Sequence, residues 1–292
     1  MTSCAVPDDK PDLHAPKKED LVRLCDPAKE YITTTRFLRE NRMDMHLRDM
    51  DIHRIADEVA KGCEGSAARF VNAFNVLDKL EVGANAAVSV GIKLAQKDET
   101  YTDVYLGVLK RSYLAEFLDL DLLTAMKLAE ALSVDYLGDV KVALDDYTKL
   151  VDFCLKRSDV ELSLKDCGGL AGRVAKASEK FATSLADSFI KTFEYLTQTK
   201  NIQMKVGEAI TLAEQVALIH PNAIDSFIVA HGFALEKEGL DLDARRSLIF
   251  ARRLATRTRW EPRKKDPLVL PELRMPASTT KVETDSSPEA QD

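Results

Sequence analysis

The chain has 292 residues, of which 45% are hydrophobic and 30% are charged, and its formal net charge is −7 at pH 7. A chain of this composition is globular and has enough apolar mass for a sizeable core. The acidic balance argues against a protein that coats nucleic acid with its whole surface.

Prolines are absent from the long stretch between Pro27 and Pro221, and all ten prolines lie at its edges or beyond them. Proline removes an amide donor and clashes with the preceding helical turn, so a stretch without proline leaves helices unbroken. The sequence therefore predicts an all-α fold, a multi-helix bundle or helical array of about ten helices. A disordered N-terminal arm and a disordered C-terminal tail are expected to flank this body.

The domain organisation follows from changes in this pattern. Residues 1–17 are predicted to be a disordered arm, 18–157 a helical subdomain, and 170–260 a second helical subdomain that ends in a basic helix. Between the subdomains, Val160, Leu162 and Leu164 alternate with polar residues and Gly168-Gly169 follows. We expect 158–169 to form an extended loop or hinge. The Pro, Ser, Thr and Glu content after Pro262 predicts a disordered tail over 261–292.

Helical periodicity and capping residues place the individual helices. Asp26-Pro27 is a typical helix start, with the aspartate as cap. The clearest helix is Tyr136 to Lys156, where apolar residues recur at alternating steps of three and four. The other segments with helical spacing are 28–41, 45–61, 66–80, 84–96, 100–118, 122–132, the pattern from Leu170 to Leu196, 203–219, 222–237 and 243–259.

Internal repeats are not evident at a fixed period. The segments Ile55 to Val59 and Leu128 to Leu132 resemble each other, but amphipathic helices in general share this pattern. A solenoid of helical repeats therefore stays open as an alternative to a bundle.

The five cysteines predict a reducing compartment, because they are odd in number and never form a C-x-x-C pair. They are Cys4, Cys25, Cys63, Cys154 and Cys167. No apolar stretch follows a basic start, as a secretory signal would require, and the apolar run from Ala84 to Ala95 is too short to span a bilayer. We expect a cytoplasmic protein whose cysteines are small core residues.

Motifs of enzymes are missing from the sequence. It contains no phosphate-binding loop with lysine after its glycines, no H-E-x-x-H and no Gly-x-Ser-x-Gly. The prediction is a protein without catalytic activity and without a cofactor.

A cluster of histidines and aspartates between residues 46 and 57 has residue types that bind metal ions. Asp49, His53 and Asp57 are spaced four residues apart on one helix, with His46 and Asp51 nearby, and such a ladder could hold a divalent ion. The same spacing is typical of a solvated helix face with contacts between histidine and carboxylates. We predict no metal site.

Two segments could form a helix-turn-helix. The helix after Leu128 to Val134 is too acidic to lie in a DNA groove. The helix after Ile55 to Val59 carries Arg69, Asn72 and Asn75 on a polar stripe, but its turn is long and contains two glycines. Helical hairpins in a bundle are the alternative explanation of both segments, and the sequence favours it.

The strongest functional signal is a basic segment at 244–265, which has nine cations and a single acid, Glu261, on a chain that is otherwise strongly acidic. Arginines spaced by four and seven residues form one broad face of a helix, and Trp260 is a candidate stacking ring. Arginine donates forked hydrogen bonds to phosphate oxygens. The candidate nucleic-acid-binding residues are Arg245, Arg246, Arg252, Arg253, Arg257, Arg259, Arg263, Lys264 and Lys265.

These observations favour a non-enzymatic protein that binds nucleic-acid phosphates through its last helix, in a regulatory or packaging role, and that self-associates. Other interpretations of the arginines stay open: docking against the acidic body, interaction with the negative C-terminal end of the helix, a simply solvated face, contact with an anionic membrane surface, or contact with a protein partner. The alternative functions are a self-assembling coat or structural protein, and a protein–protein adaptor whose groove takes a partner helix.

Overall fold

The computed structural model describes residues 26–160, 162–199, 202 and 204–259. The all-α prediction is confirmed over this part of the chain, which contains twelve α-helices, one short 3₁₀-helix and no strand. The predicted arm at 1–17 and tail at 261–292 lie outside the described residues.

The helices follow one another with short connections, and the 3₁₀-helix Ser178–Lys180 lies directly after the eighth. In chain order they are α1 Pro27–Glu40, α2 Asp49–Ala60, α3 Ser66–Lys79, α4 Ala84–Ala95, α5 Glu99–Tyr113, α6 Leu122–Leu132, α7 Val140–Lys156, α8 Leu164–Ala177, α9 Ala186–Gln198, α10 Val206–Ala217, α11 Ala223–Leu235 and α12 Ala244–Ala255.

The described helices pair into six consecutive hairpins, α1 with α2 through to α11 with α12. We refer to the odd-numbered members as first helices and the even-numbered members as second helices. Each first helix packs against the first helix of the next hairpin, and several second helices contact each other in the same way. This stacking of hairpins on nearest neighbours is the architecture of a helical solenoid.

A repeated pattern of small residues lies in every second helix. A buried small residue is followed four positions later by another, and a large apolar residue lies between them, as in Ile55-Ala56-Asp57-Glu58-Val59-Ala60. The first small residues are Ala56, Gly91, Ala129, Ala171, Ala213 and Ala251, and the second are Ala60, Ala95, Ser133, Ala175, Ala217 and Ala255. Small side chains let helices approach closely and interlock. The spacing between successive members varies from 35 to 42 residues, so a search at a fixed period misses the repeat.

Gly91 is the one member of this pattern without a side chain, for a local reason. A Cβ at this position would lie 2.9 Å from Cδ2 of Phe70, a fully buried ring on the partner helix α3. The large ring of Phe70 therefore takes the space that alanine occupies in most of the other hairpins.

The N-termini of two first helices are capped by carboxylates from the preceding first helix. Neither α3 nor α9 has a side-chain cap of its own. Glu30 of α1 accepts hydrogen bonds from the backbone nitrogens of Ala67 (2.8 Å) and Gly65 (3.1 Å) at the start of α3. At the start of α9, the fully buried Asp146 of α7 accepts from the backbone nitrogens of Leu185 (3.0 Å) and Ala186 (3.1 Å).

Asp146 has further donors in the hydroxyl groups of Ser178 and Ser184. A carboxylate at a helix N-terminus satisfies orphan amides and interacts favourably with the helix dipole. Both carboxylates therefore fix one hairpin on the next.

We predict that Asp146→Ala lowers the free energy of unfolding by about 2–4 kcal/mol, because buried amides and hydroxyls lose their acceptor. The matched control is Asp145→Ala, which removes an exposed neighbour that pairs with Lys149 and should change stability by no more than about 0.5 kcal/mol. Denaturant unfolding measures both values. Equal values for the two variants would contradict the capping role of Asp146.

The boundaries of several predicted segments were wrong. The helix predicted at 100–118 ends at Tyr113, and the helix predicted from Tyr136 begins at Val140. The loop predicted at 158–169 is shorter, because Ser163 caps α8 by accepting from the backbone nitrogen of Asp166, and Gly168-Gly169 lies inside that helix. The pattern from Leu170 to Leu196 is divided between α8 and α9 by the 3₁₀-helix and a turn with positive φ at Ala182. The last helix ends at Ala255 rather than at 259.

The helices on the two sides of the predicted hinge are in contact, since α7 packs against both α8 and α9. The division into two helical subdomains, 18–157 and 170–260, stays a prediction.

The prediction of reduced cysteines was wrong for the body of the protein. Cys154 at the end of α7 and Cys167 in α8 form a disulfide, with their Cα atoms 6.3 Å apart. Cys63 is also disulfide-bonded. Spacing along the sequence did not reveal the Cys154–Cys167 pair, because the fold brings the two residues together across a hairpin.

We expect non-reducing peptide mapping to recover a cross-linked peptide that contains Cys154 and Cys167.

A disulfide that closes a loop of this length, with a sequence separation of 13, contributes about 3 kcal/mol of stability. A Cys154→Ser, Cys167→Ser double variant should therefore unfold at lower denaturant concentration than the oxidised wild type. Equal stabilities would show that the disulfide has no part in holding the fourth hairpin.

Candidate nucleic-acid interface

The arginines of α12 all lie on its exposed side. The helix buries Ser247, Ala251 and Ala255 against the body. Arg245 and Arg252 lie along the edge towards α10, and Arg246 and Arg253 lie on the other side of the exposed face, nearer Phe250 and Leu254, with Arg257 just after the helix. The structure thus brings together the described members of the predicted set, including Arg259 just after the helix. Arg263, Lys264 and Lys265 lie outside the described residues.

Few of these arginines have intramolecular partners. Arg246 pairs with Asp243 at the start of its own helix (Nε to Oδ2, 3.3 Å), and Arg252 donates to Oε1 of Gln215 on α10 (2.6 Å). Within the described part of the chain, Arg245, Arg253, Arg257 and Arg259 have neither a hydrogen bond nor an ion pair from their side chains. For these four arginines, docking against the acidic body therefore has no support among the described residues.

Elsewhere in the body, cations link neighbouring hairpins. Arg173 of α8 binds Glu214 of α10 through two hydrogen bonds (2.6 and 3.1 Å), and Lys191 of α9 binds Asp225 of α11 (2.6 Å). These pairs span hairpin junctions as the Arg252–Gln215 bond does, but Arg173, Lys191 and Asp225 are all more than half exposed, so solvent screens the attraction between their charges.

A groove of about 760 Å³ separates α12 from α10. Leu212, Leu248 and Ile249 supply apolar surface, while Arg245 and Arg252 line one side. Sequence reasoning missed this apolar component, although Ile249 stands between arginines on the exposed face of the helix. The surface can therefore bind phosphates through its arginines and apolar groups through its edges.

The cluster considered as a metal site is engaged in other contacts. His53 Nδ1 lies 2.6 Å from the hydroxyl of Tyr31, and Asp49, Asp51 and Asp57 pair with Arg42, Arg48 and Lys61 respectively. Over the described residues, no group of three or more histidines, cysteines or carboxylates is arranged to hold a metal ion.

The better helix-turn-helix candidate has a structural explanation. Arg69 donates to the carbonyl oxygens of Glu64 (2.9 Å), Gly62 (3.2 Å) and Ala95 (2.9 Å). These bonds join the turn after α2 to the end of α4. Since its guanidinium is occupied in this way, Arg69 is not free to contact a base.

Two buried histidines pack at junctions near the C-terminal hairpin. His231 of α11 shares a hydrogen bond with the hydroxyl of Tyr195 (2.8 Å), and His220 shares one with Thr258 (2.8 Å). The other ring nitrogen of each has no partner among the described residues. Burial lowers the pKa of both imidazoles below 6.5, because the charged form loses its hydration.

This lowered pKa predicts that stability falls as the pH drops below about 6.5. Above that value both folded and unfolded states are neutral at His231. Below it the unfolded state takes up a proton more readily, until the pH reaches the folded-state pKa. In α9 the position equivalent to His231 is held by Phe193. A His231→Phe variant has no titratable group at this site, so its free energy of unfolding should fall less than that of the wild type between pH 7 and pH 5. Parallel loss in both proteins would contradict this role.

The comparisons with known proteins give no relative, since no family model, curated protein or solved structure matches the chain. Among the helices of the described residues, none combines the length and the apolar character needed to cross a membrane.

Proposed function

We propose that this chain is a non-enzymatic helical-repeat protein that binds nucleic acid through the arginine surface of α12, in a regulatory or packaging role. The observation that supports this function is the exposure of six arginines on one helix and its end, four of them without a partner in the described residues. No catalytic residue enters the proposal.

The spacing of the arginines suits a linear polyanion. Arg246 and Arg253 are two turns apart, so they repeat along the helix at about 10 Å, and Arg257 and Arg259 follow the end of the helix. Such a row contacts successive phosphates without reading bases, which makes binding independent of sequence and sensitive to salt.

Cellular location and assembly belong to the same proposal. The cysteine argument for the cytoplasm no longer holds, because Cys154 and Cys167 are bonded. A cytoplasmic location and self-association stay predictions that fractionation and sedimentation measure.

The decisive variant neutralises Arg246, Arg252, Arg253 and Arg257 by substitution with glutamine. Fluorescence anisotropy with generic single-stranded and duplex probes, DNA and RNA, should show weaker binding at low salt. Each lost phosphate contact reduces the slope of log K against log salt by about 0.9 for duplex DNA, so the slope should fall by about 3 to 4.

The matched control neutralises four exposed lysines on other helices, Lys79, Lys110, Lys127 and Lys141. It changes the net charge by the same amount and should keep most of the affinity and the slope. If both variants weaken equally, only the net charge matters. If wild-type protein fails to bind at low salt, the proposed function is wrong.

A second candidate function, a protein–protein adaptor, is favoured by the apolar side chains that border the arginines. Ile249 and Leu254 are both about two-fifths exposed on α12, and Val229 and Phe233 of α11 are more exposed still. Exposed apolar side chains next to the arginines contribute nothing to phosphate binding, whereas they can bury the apolar face of a partner helix.

A further inference from the structure

One kind of aromatic contact recurs between first helices: a single ring of one helix packs edge-on against two rings of the next first helix. We call this a ring-on-pair contact. Phe37 of α1 packs edge-on against Phe70 and Phe74 of α3, with ring centroids 6.1 and 5.7 Å apart. The two receiving rings are four residues apart and so lie on one face of their helix. Edge-to-face contacts of this kind add about 0.5–1.5 kcal/mol beyond the area that they bury.

The same contact joins the fourth hairpin to the fifth. Phe153 of α7 packs edge-on against Phe189 and Phe193 of α9, at 5.6 and 5.1 Å. The receiving rings are again four residues apart, so the hairpins stack in one register at both junctions.

The fifth and sixth hairpins repeat the contact once more. Tyr195 of α9 packs edge-on against Phe227 and His231 of α11, at 6.3 and 5.7 Å. Each inserting ring stands six residues after another aromatic residue on its own helix, the pairs being Tyr31 and Phe37, Tyr147 and Phe153, and Phe189 and Tyr195.

Phe233 continues the series but has no receiving pair among residues 26–259 as far as the structure describes them. It stands six residues after Phe227 on α11, in the register of Tyr195, and half of its surface is exposed. Within the described residues it makes no ring contact. The sixth hairpin therefore exposes the face of α11 that corresponds to the one by which α1, α7 and α9 contact the next first helix.

Phe233 lies in a groove at this end of the repeat, which we name the terminal groove. It has a volume of about 630 Å³ and is lined by Asp225, Ser226, Val229, Ala230 and Phe233 of α11, by Phe250 and Leu254 of α12, and by Thr258. Its lining is almost entirely apolar apart from the rim. Exposed apolar surface of this kind marks an interaction site.

Charge along the rim selects the occupant. On the α12 side, Arg253 adjoins Leu254, and neither Arg253 nor Arg257 has a side-chain partner among the described residues, whereas the charge of Arg246 is paired with Asp243. On the α11 edge, the carboxylate of Asp225 is already paired with Lys191 (2.6 Å). The rim is therefore net positive, and a bound helix gains by presenting carboxylates to α12.

We propose that the terminal groove binds an amphipathic helix of a partner protein, which receives Phe233 between two apolar side chains spaced i and i+4 and presents acidic residues to Arg253 and Arg257. The bound helix takes the place that the first helix of a following hairpin has at the earlier junctions. This binding does not depend on the proposed nucleic-acid function.

The probe is a synthetic helical peptide of about four turns, built from glutamate and alanine, with leucines spaced i, i+4 and i+7. Its counterpart has lysine in place of every glutamate. Fluorescence anisotropy with wild-type protein should show binding of the acidic peptide and much weaker binding of the basic one. Equal binding, or no binding of the acidic peptide, overturns the proposal.

Phe233→Ala should weaken binding of the acidic peptide about tenfold or more, as for an anchor residue at the centre of an interface. The matched control is Leu137→Ala, which removes an apolar side chain that is 88% exposed elsewhere and should leave affinity unchanged. Circular dichroism confirms that each variant is folded. If Phe233→Ala does not fold, Val229→Asp tests the same groove, because Val229 is 72% exposed.

The charge of the rim is tested separately. An Arg253→Glu, Arg257→Glu double variant should reverse the preference and bind the basic peptide better than the acidic one. If the double variant still prefers the acidic peptide, the proposal that the bound helix presents carboxylates to Arg253 and Arg257 is overturned.

Two further measurements decide between occupants. Sedimentation of wild type and Phe233→Ala reports self-association: an oligomer that is lost in the variant assigns the groove to a second copy and overturns the partner helix. Duplex DNA binding should be the same in both proteins. A loss of DNA affinity in Phe233→Ala, with no peptide binding, assigns the groove to nucleic acid.

Discussion

Close approach between helices within each hairpin is the constraint on which the rest of the structure depends. A buried small residue, Ala56 and its counterparts in the other second helices, permits this approach. Side chains larger than alanine there would separate the helices and remove the interlocking of the neighbouring apolar residues. Because every described hairpin carries such a pair of buried small residues, the same close approach is available at each step of the stack.

Stacking then fixes the polar groups that each hairpin cannot satisfy alone. The amides at the starts of α3 and α9 have no cap within their own segments, and Glu30 and Asp146 supply it from the preceding first helix. The cost of leaving these amides buried and unpaired makes the register between hairpins specific. The ring-on-pair contacts act in the same register, so apolar and polar interactions agree at the same junctions.

The last of the described hairpins differs from the others in its surface. On the earlier hairpins the edge towards the successor is covered, whereas α11 and α12 present Val229, Phe233 and Leu254 beside a row of arginines. An apolar groove with a cationic rim can serve two kinds of partner. The arginines along the outer face suit a polyanion, and the groove suits a helix that brings its own carboxylates. The two uses differ in their dependence on Phe233, which is why that residue separates them experimentally.

The sequence by itself determined the helical class, most helix positions and the concentration of arginines near the C-terminus, because helix periodicity, caps such as Asp26 and local charge are properties of short segments. Only the tertiary structure decided the repeat, whose spacing varies with loop length, and the pairing of Cys154 with Cys167. It also decided that Asp146 is a buried cap for α9. The terminal groove likewise depends on which face of α11 a neighbour covers, and local sequence does not encode the neighbour.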